Sequence, residues 1–173
     1  MAILFASATD TDAAAIAALR MAAARTLTAR FGGGPWSFAA ESESGVLVEL
    51  RTSTILFARD EGTVVGTLRL ATKNPWLGNI DFFTPRQRPI YLTSMAVAPK
   101  RQRQGIGRQL LVEARRTALG LRGDVIRLDS YDAPAGAGEF YRKCGFQERR
   151  RSEYNGTPLI WFEAVLGDDR ALR

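Results

Sequence analysis

The chain has 173 residues, 46% of them hydrophobic and 24% charged, which is enough for one domain with a real core. It carries a formal net charge of +6, a single cysteine and no histidine. Without histidine there is no Ser-His-Asp or Cys-His nucleophilic mechanism, and Cys144 alone gives zinc no nitrogen and sulfur ligand set, so no metal is expected.

No run approaches the ~18 apolar residues of a membrane helix, so no membrane association is expected. The start, MAILFASATDTD, lacks a basic segment followed by a long apolar one. A lone cysteine fits a reducing compartment, and the expected location is cytoplasmic.

In chain order, Ile3 to Ala8 reads as a first strand. Thr9-Asp10-Thr11-Asp12 then offers N-caps for an alanine-rich helix to about Arg30, which Gly32-Gly33-Gly34-Pro35 stops. Residues 36–53 have no clear period, and Ser42 to Arg51 fits either a short helix or an extended connection. Thr54–Arg59 and Thr63–Ala71 read as strands joined at Asp60-Glu61-Gly62, a hairpin signal. Lys73 to Arg88 is proline-punctuated and aperiodic, a long loop of the kind that is functional or mobile in a compact domain.

Ile90–Ala98 is the central strand and Gly105–Leu121 the central helix, with Ile106, Leu110, Leu111 and Ala114 on its buried face. Val125–Tyr131 is the next strand, and a short helix follows over 135–143. Phe146–Tyr154 and Leu159–Val165, joined at Asn155-Gly156, form a closing hairpin, and residues 167–173 a frayed tail. No repeat, low-complexity segment or second domain is visible, so residues 1–173 are expected to form a single domain.

The stretch VAPKRQRQGIGRQLLVEARR, residues 97–116, carries the most chemistry. Pro99 breaks a strand, and a basic turn containing Gly105 and Gly107 leads straight into an amphipathic helix. Such a turn aims unpaired amides at one point at a positive helix N-terminus, which suits an anion. Glycine lets a phosphate approach the main chain closely.

This stretch resembles the acyl-CoA signature of the GNAT superfamily of N-acetyltransferases, with Gln102, Gly105 and Gly107 at its fixed positions and Val97-Ala98-Pro99 as its run-in. A second block, AGAGEFYRKCGF from Ala135 to Phe146, resembles the later motif of the same family. The resemblance spans roughly residues 54–165. It implies an α/β fold of the α+β kind: a mixed, mostly antiparallel sheet of six to seven strands with splayed central strands, flanked by about four helices. It also implies acetyl-CoA as acyl donor and transfer to a primary amine by direct attack in a ternary complex.

Carried over by position, the resemblance places main-chain contacts to the pantetheine arm on Met95, Ala96 and Val97. Gln102, Arg103, Gln104, Gly105, Ile106, Gly107 and Arg108 would supply amides to the phosphates, with Arg101, Arg103 and Arg108 as candidate charge partners. An amide near Ala96 or Val97 would polarise the thioester oxygen. Tyr141 matches the tyrosine that protonates the leaving thiolate and lies at the cofactor in the family.

The general base has no strand-borne glutamate to fall on. Many members place a glutamate a few residues before the Met95-Ala96-Val97 segment, and here that region reads Tyr91-Leu92-Thr93-Ser94. Thr93 and Ser94 could hold a relaying water, with Asp129 on the neighbouring strand as acceptor. Asp132 fits a turn and helix N-cap better. Pro134 stands where the family often has an asparagine, so that pantetheine contact is lost or made by main chain.

A small amine or amino-acid-like acceptor is favoured over a protein tail. Trp36, Trp76, Phe82, Phe83 and Trp161 are pocket-wall candidates weighed against plain core packing, and Glu41, Glu43 and Asp81 could attract a cation. Two alternatives stay open: a non-catalytic acyl-CoA sensor, motivated by the missing glutamate, and a weaker reading of the arginines as a nucleic-acid surface. Family members often dimerise, so a homodimer is open, although nothing in the residues specifies one.

Overall fold

The structure is a computed structural model that describes residues 2–38 and 41–167. Most of the expected tail therefore lies outside the described residues. Seven strands form one sheet: β1 (Leu4–Ser7), β2 (Thr54–Asp60), β3 (Thr63–Ala71), β4 (Pro89–Val97), β5 (Val125–Tyr131), β6 (Gln147–Tyr154) and β7 (Thr157–Val165). Their order is β1-β2-β3-β4-β5-β7-β6. The β4–β5 pair is parallel, whereas β1–β2, β2–β3, β5–β7 and β6–β7 are antiparallel. Among the described residues four α-helices accompany them: α1 (Ala13–Phe31), α2 (Glu43–Thr52), α3 (Ile106–Gly120) and α4 (Gly138–Lys143).

The chain divides into two compact units, Met1–Ala71 with Thr93–Ala114, and Thr72–Leu92 with Arg115–Arg173. In the first, Asp12 fixes the start of α1. Its carboxylate accepts from the Thr9 amide at 2.8 Å and from the Arg59 guanidinium at 2.5 Å. Alanine-rich sequence favours the helix, and Gly32, at φ +82°, ends it. The open alternative at residues 42–51 resolves as helix: Ser42 caps α2 by accepting from the Gly45 amide at 3.1 Å. Ile16, Leu19 and Val46 from these helices bury against Ile55, Phe57 and Val64.

Gly66 admits α3 to the face of β3. A Cβ there would lie 2.8 Å from Leu110 Cδ1 and 3.0 Å from Ile106 Cγ2. The β2–β3 turn is built from Glu61 and Gly62, both in the left-handed region, as a two-residue hairpin of this hand requires.

In the second unit, β5 pairs with β7 along its whole length, from Val125↔Val165 to Tyr131↔Leu159. Asn155 and Gly156, again both left-handed, close the β6–β7 hairpin. The aperiodic segment after β3 has a core of its own, in which Trp76 and Phe83 bury with Tyr91, Leu159 and Trp161. Its far end is pinned where the Thr84 amide donates to Glu163 at 3.1 Å and Arg127 donates to the Thr84 carbonyl at 2.7 Å.

Candidate active site

In the first unit the candidate site begins where β4 changes character. Ile90, Tyr91 and Leu92 are buried, whereas Thr93 through Val97 are half-buried, so Met95, Ala96 and Val97 lie on an accessible stretch of strand. Ser94 sits at φ +52°, a conformation that costs a non-glycine residue about 1–2 kcal/mol. Such an interruption re-aims the side chains that follow it. Beside it, Thr93 Oγ1 is buried without a hydrogen-bond partner.

Past β4, the Ala98 amide donates to Val65 O at 2.8 Å and the Arg101 amide to Ala98 O at 2.8 Å, closing one helical turn. Arg103 at φ +59° and Gly105 at φ +83° then swing the chain into α3. Gly105 O accepts from the Gln109 amide at 3.0 Å, so the amides of Ile106, Gly107 and Arg108 form the first turn, whose N–H groups have no intrahelical acceptor. A Cβ at Gly105 would meet no atom within 4 Å, so the space beside the turn is open and the glycine serves its backbone angle. Arg103, Gln104 and Arg108 are exposed, while the Ile106 side chain is buried and only its amide is available.

Arg101, a candidate charge partner for the phosphates, is also engaged by the protein itself. Its Nη1 donates to Asp60 Oδ2 at 2.5 Å and its Nε to Gln104 Oε1 at 2.9 Å, which fastens the turn to the end of β2. Gln102 folds back, its Nε2 donating to Val97 O at 3.4 Å.

The second unit holds the other two candidates, Asp129 on β5 and Tyr141 on α4. Burial pushes the Asp129 carboxyl up from its ordinary value, against the pull of the Trp76 indole, which donates to Oδ1 at 2.8 Å. Burial also raises the Tyr141 phenol well above its usual range, with Asp129 and Cys144 adding to the effect. Tyr141 keeps its proton at neutral pH, and its burial makes it a weaker acid than a free phenol. Its ring meets Phe140, Phe146 and Phe162 at centroid separations of 5.3, 5.7 and 6.0 Å. Tyr131 is raised likewise by burial and by Asp129.

A sequence model described as an acetyltransferase (GNAT) domain matches residues 51–148, more than half of the chain. The chain belongs to the GNAT acetyltransferase family. No curated protein sequence is a significant match to it. Among solved structures, the fold is similar to the PaiA N-acetyltransferase of Thermoplasma acidophilum in complex with coenzyme A. The TM-score is 0.74 at 18% identity, covering 95% of this chain and 99% of that one. YncA of Salmonella typhimurium, solved with its cofactor acetyl-CoA, gives 0.72 at 18% identity over 97% and 96% of the two chains. A GCN5-related N-acetyltransferase from Rhodopseudomonas palustris gives 0.71 at 22% over 96% and 97%.

Other expectations for this GNAT domain are revised by the geometry. Asp132 does not cap α4. The Ala137 amide at that helix start donates to Ser130 Oγ at 2.9 Å, and Asp132 instead accepts from Arg151 at 3.1 Å. Glu41 is engaged by the buried Arg20 at 3.2 Å, which Glu49 also meets at 2.8 Å. Trp36 donates its indole N–H to Gly32 O at 3.0 Å, whereas Trp76 and Trp161 are core residues with ring centroids 5.0 Å apart.

The Trp76–Asp129 hydrogen bond and the left-handed Ser94 carried no sequence signal. One joins residues 53 apart in the chain, and the other places a serine where an extended backbone is the default. No helix among the described residues is long and apolar enough to cross a membrane.

Proposed function

We propose that the chain moves an acetyl group from acetyl-CoA to a primary amine by direct attack in a ternary complex. The observation that carries this reading is the turn from β4 to α3. Its left-handed Arg103 and Gly105, exposed arginines and first-turn amides suit a pyrophosphate. The donor supplies an activated acyl group on a thiol leaving group.

Met95, Ala96 and Val97 bind the pantetheine arm through main chain, and an amide near Ala96 or Val97 polarises the acyl oxygen. Gln102 to Arg108 hold the phosphates through their amides, and the exposed Arg103 and Arg108 add charge. Tyr141 donates the proton that the leaving sulfur takes. Ser94 holds a water that serves as the proton relay, and Asp129 is the final acceptor of the ammonium proton. The acceptor is a small amine or amino-acid-like molecule, and residues 1–173 act as a single acyltransferase domain in the cytoplasm.

Calorimetric titration with acetyl-CoA, compared with CoA, tests the reading. One-to-one micromolar binding supports it and opens a screen of amines by free-thiol release. Absence of binding at modest salt overturns it. Binding without turnover on any amine would instead favour an acyl-CoA sensor.

A further inference from the structure

Asp129 and Trp76 form a pair that the catalytic assignment alone does not explain. A buried carboxylate needs hydrogen bonds to stay ionised. Asp129 receives one from an indole rather than from a cation, the Trp76 Nε1 to Oδ1 distance being 2.8 Å. An indole N–H only donates, so it favours the ionised form without adding charge.

The indole is also fixed on every side that the described contacts reach. Its ring meets Tyr91 edge-on at 5.4 Å and Trp161 edge-on at 5.0 Å, and it stacks on Phe83 at 5.9 Å. Its own amide donates to Asn74 Oδ1 at 2.9 Å, which sets the backbone where the ring enters the cluster. Trp161 is moreover the residue directly across from Asp129 in the β5–β7 register. The donor is thus held by packing before any substrate arrives.

We propose that Trp76 is a positioning residue for Asp129, its indole N–H locking the carboxylate in the one orientation from which it accepts the substrate proton. This rests on Asp129 being the base. The hydrogen bond does two things at once: it restricts rotation of the carboxylate about its terminal torsion, and it stabilises the ionised form against burial. The titratable groups around the pair are Tyr131 on the Asp129 strand and Tyr141 on α4, both raised by burial, together with Tyr91 on β4 against the indole ring and Tyr154 on β6 against Trp161. Trp161 from β7 and Trp76 from the preceding loop carry no charge. Asp129→Asn is the control that separates the carboxylate from these phenols.

Two measurements on the full chain test the assignment. Indole resonances of ¹⁵N-tryptophan-labelled protein, three in number for Trp36, Trp76 and Trp161, are followed with pH. The Trp76 resonance, identified by its loss in Trp76→Phe, is expected to move with a single titration that Asp129→Asn abolishes. A flat Trp76 resonance would overturn the proposal, and should Trp76→Phe not fold, Trp36→Phe and Trp161→Phe assign the resonance by elimination.

In the second measurement, the pH profile of kcat/KM is taken for acetyl transfer from acetyl-CoA to 2-phenylethylamine, used as a plain primary-amine probe. Removing a donor from the ionised form raises the pKa of Asp129, so the acid limb of Trp76→Phe should move about 1 pH unit upward. KM for acetyl-CoA should stay unchanged, and kcat at neutral pH should fall about tenfold. If Asp129→Asn turns over at the full rate, the base assignment fails and the positioning role falls with it. If Asp129→Asn is crippled while Trp76→Phe keeps the parental acid limb, Asp129 stands as base and the role of Trp76 alone is overturned.

Discussion

Glu163 on β7 lies directly across from Arg127 on β5, and its buried carboxylate joins three segments of the second unit. It accepts from the Thr84 amide and hydroxyl, and it meets Arg127 Nε at 4.0 Å and Arg149 Nε at 3.4 Å. Arg127 Nε makes no hydrogen bond, so its attraction to Glu163 is purely coulombic, while its Nη2 holds the Thr84 carbonyl. Removing the carboxylate leaves a buried guanidinium without its counter-charge, which costs about 3–5 kcal/mol. Glu163→Ala should lower the urea midpoint accordingly, and a midpoint equal to that of the parent would refute this account. Replacing Arg127 and Glu163 together with apolar residues of similar volume should cost less than Glu163→Ala alone.

Gly105 tests the phosphate turn. At φ +83° with open space around the missing Cβ, Gly105→Ala suffers backbone strain of about 1–2 kcal/mol and no clash with protein atoms. The strain should bend the turn, so acetyl-CoA should bind about tenfold more weakly, as read by calorimetry. Gly107→Val in the first turn of α3 should weaken binding further. Unchanged affinity in both would show that the phosphates sit elsewhere.

Tyr141→Phe keeps the ring that packs on Phe140, Phe146 and Phe162 and removes only the hydroxyl. Loss of a general acid should lower kcat about 10²-fold, with acetyl-CoA affinity preserved. A variant as fast as the parent would end the acid assignment.

Asp12 supplies a pH signature of stability. Burial works against its ionisation, yet the Thr9 amide and the Arg59 guanidinium outweigh this and hold its carboxyl below the ordinary value. Since the folded-state pKa is the lower one, the stabilisation is complete above the unfolded value of about 3.9. It disappears as pH falls through the folded value. Asp12→Asn should therefore cost about 1.5–3 kcal/mol at pH 7. The deficit should narrow below about pH 4, which denaturation curves at both pH values would check. A gap of constant size across that range would mean that the Arg59 contact contributes nothing.

Much of this architecture was legible because the signals were local. The Asn155-Gly156 and Asp60-Glu61-Gly62 turns marked both hairpins, β3 and β5 were read to the residue, and the Thr9-Asp10-Thr11-Asp12 run marked the start of α1. Residues 36–53 resisted because α2 is capped by one serine and buries little, with Val46 its one fully buried residue. At the site, Gly105 was visible because it marks a left-handed backbone angle. Asp132 was misjudged as a cap, and the Arg101–Asp60 pair went unseen, because Arg151 and Asp60 are 19 and 41 residues away in sequence. Charge alone does not reveal which arginine is already engaged.

The border between the two compact units falls inside elements, within β4 at Leu92/Thr93 and within α3 at Ala114/Arg115. Each unit is thus assembled from two separate stretches of polypeptide, alternating along the gene. β4 begins in the second unit and ends in the first, and α3 does the reverse, so a deletion spanning either crossing removes backbone from both units.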